Sequence, residues 1–346
     1  MSYQRDFERR LNVAVVGVGS HAYRNILPVV HYLPVKFVAI CDQNLELAQK
    51  TAEEYGVKSC YQNTAEMYRN EDLDAVFLCV SAKLHPELTC EALDAGVHVW
   101  MEKPAAIIAS EVETMLEHRK DKIVVVGMKK AFLPATEKVL EILATDEFGP
   151  LQGMAAEYKL RLPDDPEAIL KGEWTRNPFA DACHPLACML AVGGEVAAVT
   201  MHQTPTMVGA FVLEFKSGAV GTFSLVSATT LPLERYSFWG NWHISVENGN
   251  RVTVRRGIPF KYGYTTSYVP EGLDSGAVVW EPQNTLATLE NKALFTQGFF
   301  NEMNYFCNCV LEDRVAERGS LEFTLSLMRV YEAALRSHGT RIIIDQ

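Results

Sequence analysis

Across the first 130 residues the chain alternates with a regularity that few folds can accept. Short apolar runs rich in β-branched residues (Val13–Gly17, Val35–Cys41, Ala75–Val80, Val97–Met101 and Ile123–Gly127) are separated by segments with helical spacing, such as Asn44–Tyr55, Pro86–Ala95 and Ser110–His118. Strands alternating with helices make βαβ units, which require a parallel sheet covered on both faces. Residues 1–130 are therefore expected to form a doubly wound α/β domain. After Gly149–Pro150 the texture changes. Leu151–Leu160, Val196–Gln203, Ala210–Lys216, Val220–Ser227 and His243–Glu247 read as strands in succession, joined by turn signals such as "KSGA" and "ENGN". That pattern predicts an open, mainly antiparallel sheet within a second α/β domain over 131–346. Leu294–Leu311 and Leu321–Ser337 read as helices and "RIII" as a last strand, with this C-terminal segment available to pack back on the first domain. Residues 162–180 and 255–290 read as long loops, a length that often serves to cover a site.

The 346 residues exceed what one hydrophobic core usually supports, in keeping with two domains. A net charge of −11 argues against an extended nucleic-acid or anionic-membrane surface. None of the eight cysteines forms a CxxC pair, so they read as reduced, packed thiols of a cytoplasmic protein with no metal site. "RRLNVAVVGVGSHA" imitates a twin-arginine signal, but its apolar run is short and broken by Gly17 and Gly19. No later stretch is long enough to span a membrane.

"VVGVGSHAYRNI" places Gly17-x-Gly19-x-x-Ala22 directly after an apolar strand and before a helix. In that context the first glycine makes the tight turn, the second lets the backbone approach a pyrophosphate, and the small third residue lets helix and strand pack closely. Ser20 and His21 complete the loop. Asp42 closes the second run 25 residues after Gly17. An acid there suits the ribose hydroxyls of NAD and repels the 2′-phosphate of NADP. Asp42 is equally placed to cap the following helix.

"HVWMEKPAAI" (His98–Ile107) ends its apolar run at Glu102–Lys103–Pro104. A residue before proline is held extended, and the end of a parallel strand is where α/β proteins place their chemistry. With "VVGVGSHA", "DAVFLCVSAKLHPELTCEALDAGVHVWMEKP", "VVGMKKAFLP" and the tail "FTQGFFNEMNYFCNCVLED…LSLMRVYEAALRSHGTRIII", the chain resembles the glucose–fructose oxidoreductase / inositol dehydrogenase / MocA (Gfo/Idh/MocA) family, roughly from Leu11 onward.

The resemblance implies an N-terminal Rossmann domain binding a nicotinamide cofactor, and a second domain holding a sugar or cyclitol and mediating a homodimer or homotetramer. It implies that Lys103 donates to the reacting substrate oxygen, oriented by Glu102 and a Pro104 turn with a cis bond, and that His184 in "ADACHPLACML" accepts the hydroxyl proton. The family usually carries Asp four residues before this histidine; here that position is Ala180, and Asp181 stands three before, a spacing that still shares a helix face. "GMKKAF" replaces the usual G-x-N-R-R-F, so Lys129 and Lys130 keep the charge without a guanidinium fork. Lys130 is the expected substrate contact, with Lys129 solvated; Trp174 and Arg176 are candidates for the same pocket. Ser81 and His85 are expected to border the cofactor, and Tyr305 to be core. The activity implied is hydride transfer between NAD and a hydroxyl or keto group of a sugar, sugar acid or cyclitol. A redox-neutral lyase or glycoside-cleaving enzyme using the same residues, and a non-catalytic NAD-binding regulator, are the alternatives.

Overall fold

Six short strands pair in parallel in the computed structural model, which describes residues 6–173, 177–206, 208–226, 234–257, 262–263, 276–283 and 294–344. They are β1 (Leu11–Val16), β2 (Val35–Cys41), β3 (Ser59–Tyr61), β4 (Ala75–Leu78), β5 (His98–Glu102) and β6 (Val124–Gly127), arranged β3-β2-β1-β4-β5-β6. The chain reverses its winding between β1 and β4, so a crevice opens beyond their carboxyl ends. Alternate residues go to opposite faces. Val13 and Val15 pack with Ala48 and Ala52 of the Leu45–Tyr55 helix, whereas Ala14 and Val16 join Leu93, Val112 and Met115 on the other side. β3 escapes the sequence reading because it is a three-residue, half-buried edge strand with no apolar run.

The second sheet comprises β7 (Gly153–Tyr158), β8 (Val196–Gln203), β9 (Gly209–Phe215), β10 (Val220–Leu225), β11 (Arg235–Trp239), β12 (His243–Glu247), β13 (Arg251–Arg255), β14 (Val278–Trp280) and β15 (Ile342–Ile343). Its order is β14-β13-β12-β11-β7-β10-β9-β8-β15, antiparallel except where β7 meets β10. One face is closed by the helices Phe179–Gly193 and Leu321–Ser337, through Met189, Leu190, Leu327 and Tyr331. The segments read as loops carry structure: β14 falls within 255–290, and Asp165 caps a short Pro166–Leu170 helix within 162–180.

The stretch read as one helix from Leu294 to Leu311 is interrupted. Gly298 adopts φ +86°, and a Cβ there would lie 2.4 Å from the Lys129 carbonyl oxygen. The helix restarts as Phe299–Glu312 and packs against the first sheet, where Phe306 meets Phe77 at 6.1 Å and Phe77 meets Trp100 at 5.8 Å. All eight cysteines are free thiols, and burial pushes those of Cys41, Cys183 and Cys188 up to about 12. Among the described residues no group of three His, Cys, Asp or Glu side chains is placed to hold a metal, and no helix is long and apolar enough to cross a membrane.

Candidate active site

β1 delivers the chain into the crevice at Gly17, whose φ is +86° and whose Cβ, if present, would lie 2.5 Å from the Cys79 carbonyl oxygen at the end of β4. Only glycine meets both conditions. Gly19 differs: nothing lies within 4 Å of a Cβ built on it, because it faces an open cavity of about 620 Å³. Ser20 and His21 follow on the exposed side, and Ala22 is buried. Asp42 lines the same cavity. Its Oδ2 accepts from Val18 N at 2.9 Å and its Oδ1 from Asn44 N at 2.9 Å, tying the glycine loop to the end of β2. The cap of the next helix is Asn44, whose side chain accepts from Leu47 N, so the alternative of Asp42 as cap falls.

β5 ends in buried Glu102. Its Oε2 accepts from Lys103 N at 3.1 Å, and its Oε1 lies 2.9 Å from His21 Nε2. Asn25 Nδ2 donates to His21 Nδ1 at 3.2 Å, which assigns the ring proton to Nε2 and makes the glycine loop a donor to Glu102. The Lys103–Pro104 bond is cis. Ser81 is exposed at the rim, between cavity-lining Val80 and Leu84. The expectation that His85 borders the cofactor does not hold. His85 is wholly buried beneath the turn, its Nδ1 donates to the Pro104 carbonyl at 2.8 Å, and burial pushes its pKa down. It supports the turn from beneath.

The Phe179–Gly193 helix brings the second cluster. Lys103 Nζ donates to the Ala180 carbonyl at 2.9 Å and stands 3.7 Å from Asp181 Oδ1. Asp181 therefore reaches Lys103 from its shifted position. His184, one turn on, is buried, and its Nδ1 has no partner among the described residues; burial first, then the charges of Lys103, Lys129 and Lys130, hold its pKa well below the ordinary value. At neutral pH it is an uncharged imidazole able to accept a proton.

Lys130 pairs with Glu234 and lies over the Tyr158 ring at 5.3 Å. The expected solvation of Lys129 fails. It is half-buried over the Phe299 ring at 4.4 Å, donates to Gln297 at 3.1 Å, and burial, then Lys130, lower its pKa. Both lysines line a cavity of about 300 Å³. Trp174 and Arg176 lie outside the described residues. Tyr305 is half-buried against Phe132, with rings 5.2 Å apart.

Glu302 was missed. It is wholly buried, neither carboxyl oxygen has a partner among the described residues, and burial, then Glu102, raise its pKa well above the ordinary value. The signal in "FFNEMNYF" is helical spacing: Glu302 sits three after Phe299 and four before Phe306, on the face they bury. Its folded pKa is raised, so the fold favours the protonated acid; that stability is complete below the unfolded pKa and is lost as pH rises towards the folded one. Glu302→Gln should therefore melt increasingly above the wild type as pH rises above the ordinary carboxylate range. A difference in melting temperature that stays flat with pH would contradict a neutral Glu302.

Residues 11–130 match the family model described as an oxidoreductase family with an NAD-binding Rossmann fold, GFO_IDH_MocA. Over that first domain the chain is similar to the Gfo/Idh/MocA family. Among curated proteins, it is similar to D-xylose 1-dehydrogenase (NADP(+)) 2 of Haloferax volcanii, 26% identical over 45% of this chain and 48% of that protein. It is also similar to the myo-inositol 2-dehydrogenase of Thermotoga maritima, 26% identical over 61% and 67%. The chain spans about half the length of most of the curated relatives it matches. The whole fold is shared more widely. A dehydrogenase from Chromobacterium violaceum superposes with a TM-score of 0.81 at 22% identity, over 95% of both chains. An oxidoreductase from Agrobacterium radiobacter, solved with NAD+, L-tartaric acid and magnesium, gives 0.78 at 18% identity over 97% of this chain and 98% of that one.

Proposed function

We propose that this protein is an NAD-dependent dehydrogenase or reductase that moves a hydride between the nicotinamide and a hydroxyl or keto carbon of a sugar, sugar acid or cyclitol. The observation that carries the reading is the meeting of Lys103, at the carboxyl end of β5, with the Ala180–His184 turn of the facing helix, beside the glycine loop. The names of family relatives, dehydrogenases of xylose, a glucoside and inositol, agree with it.

The residues present fit a dinucleotide. Gly19 opens onto the cavity with no protein atom in front of it, and Asp42 stands where an adenosine ribose would lie. Glu87 and Glu91 also line that cavity, and among its described lining residues there is no Lys or Arg, which favours NAD over the additional phosphate of NADP. When bound, NAD supplies the hydride acceptor.

The chain's own groups handle the proton and the position of the substrate. Lys103 has three N–H donors, one committed to the Ala180 carbonyl, so others are free to hold the substrate oxygen. His184, kept neutral, accepts the hydroxyl proton as negative charge develops on that oxygen, and Lys103 stabilises the charge. Glu102 grips the Lys103 amide on one side and His21 on the other, fixing the lysine relative to the glycine loop. A homodimer or homotetramer working in the cytoplasm belongs to the same reading.

Incubation with NAD or NADP and a panel of neutral sugars, cyclitols and sugar acids, followed by absorbance of the reduced cofactor, tests this. At least one class should yield NADH, faster with NAD than with NADP. Elimination or glycoside cleavage without net NADH, in protein that binds NAD, would replace the dehydrogenase reading with the redox-neutral one.

A further inference from the structure

At the Lys129–Phe132 turn that follows β6 lies a cavity of about 300 Å³ whose lining includes Lys129, Lys130, Tyr158, Lys159, Glu234 and Gln297. Three lysines facing one carboxylate stand out in a chain of net charge −11. The single carboxylate is already engaged: Glu234 and Lys130 are paired, each with a side chain less than 15% exposed, and Tyr236 Oη also donates to Glu234 Oε2 at 3.4 Å. Within the described residues Lys129 has no carboxylate in ion-pair range. Its ammonium has a neutral amide, Gln297, at 3.1 Å and the face of Phe299 at 4.4 Å. A half-buried cation without a counter-ion carries a desolvation cost that a neutral hydroxyl only partly relieves, whereas an anion relieves it and is held in return. Lys129 and Lys130 open the Lys129–Phe132 turn, which packs against the helix carrying His184, so one molecule can place a group at Lys129 and its reacting carbon at Lys103 and His184.

From this we infer that the substrate is a sugar acid whose carboxylate is bound by Lys129, with exposed Lys159 at the cavity mouth drawing it in. The count of charges favours a carboxylate over a phosphate. Among the described lining residues one half-buried ammonium, that of Lys129, lacks a counter-ion, and none is an arginine that would offer the paired donors suited to a phosphate. Lys129 is then the residue that sets specificity. The Lys130–Glu234 pair fixes the wall against which the sugar ring rests and stays intact on binding. The inference rests on the dehydrogenase reading for its turnover assay and on the geometry of the cavity for its binding assay.

The NAD-loaded protein is titrated calorimetrically with gluconate, galacturonate, glucose, galactose and glucose 6-phosphate, and turnover is followed with the same compounds. The sugar acids should bind at least about tenfold more tightly than their neutral parents, with the preference shrinking as salt is raised. Lys129→Met keeps the stem over Phe299. It should erase that preference by weakening the acids at least about tenfold while leaving the neutral sugars within about twofold. Lys129→Gln should do the same, which separates loss of charge from loss of packing. Equal binding of acids and neutral sugars, tighter binding of glucose 6-phosphate, or an equal loss for both classes in Lys129→Met would each overturn the inference. Acid-selective binding without NADH formation would leave it standing and refute only the dehydrogenase reading.

Discussion

Replacing Lys103 with methionine should lower kcat about a thousandfold or more while changing NAD affinity by less than about threefold. Methionine preserves the length and most of the apolar volume of the stem, so the turn at Pro104 and the packing beneath it survive. What disappears is the ammonium that donates to the Ala180 carbonyl at 2.9 Å and would hold the reacting oxygen. Loss of one preorganised donor to a developing negative charge costs roughly 10²- to 10³-fold, and loss of assistance to proton transfer a comparable factor, although the two are not independent. His184 should respond in a characteristic way. Lys103 is the first charge after burial to lower its pKa, so in Lys103→Met the residual activity should show its acidic limb at higher pH. Single-turnover NADH formation gives the rate, and fluorescence titration gives the affinity. A kcat within tenfold of wild type would remove Lys103 from the chemistry.

The second large effect separates two glycines that sequence alone would treat alike, since both belong to one motif. Gly17→Ala should destabilise the fold itself by about 2–4 kcal/mol, because it combines a left-handed backbone with a Cβ that has no room. That Cβ would lie 2.5 Å from the Cys79 carbonyl oxygen and 2.9 Å from Val80 Cγ1. Gly19→Ala should leave the unliganded protein nearly as stable as before, because no protein atom lies within 4 Å of the new methyl. Its expected cost is borne by the cofactor, at least about tenfold in NAD affinity, since the methyl points into the cavity. Thermal unfolding without and with NAD distinguishes the two. If Gly19→Ala binds NAD as the wild type does, the cavity is not the pyrophosphate cradle.

What the sequence made legible follows from how local each signal is. The parallel sheet could be read because strands buried on both faces are continuous apolar runs; β4 and β6 are buried at every position. β11 and β13 alternate exposed and buried residues over only five positions, and β14 is a three-residue edge, so none makes a comparable run. The glycine loop, Asp42 and Lys103 could be read because each sits within a short motif at a strand end. Glu234 and Glu302 could not be placed, because they reach Lys130 and the back of β6 from 104 and about 175 residues away. Lys129 was misjudged for the same reason. Phe299 and Gln297, which make its surroundings, come from the far end of the chain. His85 shows the opposite error, where position beside the crevice suggested contact and burial decided against it.

The Phe299–Glu312 helix carries a consequence for how the protein is made. It supplies Phe299, Met303, Phe306 and Cys307 to one face of the first sheet, over Phe77 and Trp100. When residue 130 leaves the ribosome, every strand of that sheet has been synthesised but this covering has not. At roughly 5–20 residues per second the missing helix arrives about 10–40 s later. Through that interval the nascent first domain presents an uncovered aromatic surface, the kind that chaperones bind and that neighbouring chains on one message can stick to. That face of the first domain waits for an element translated near the other end of the chain.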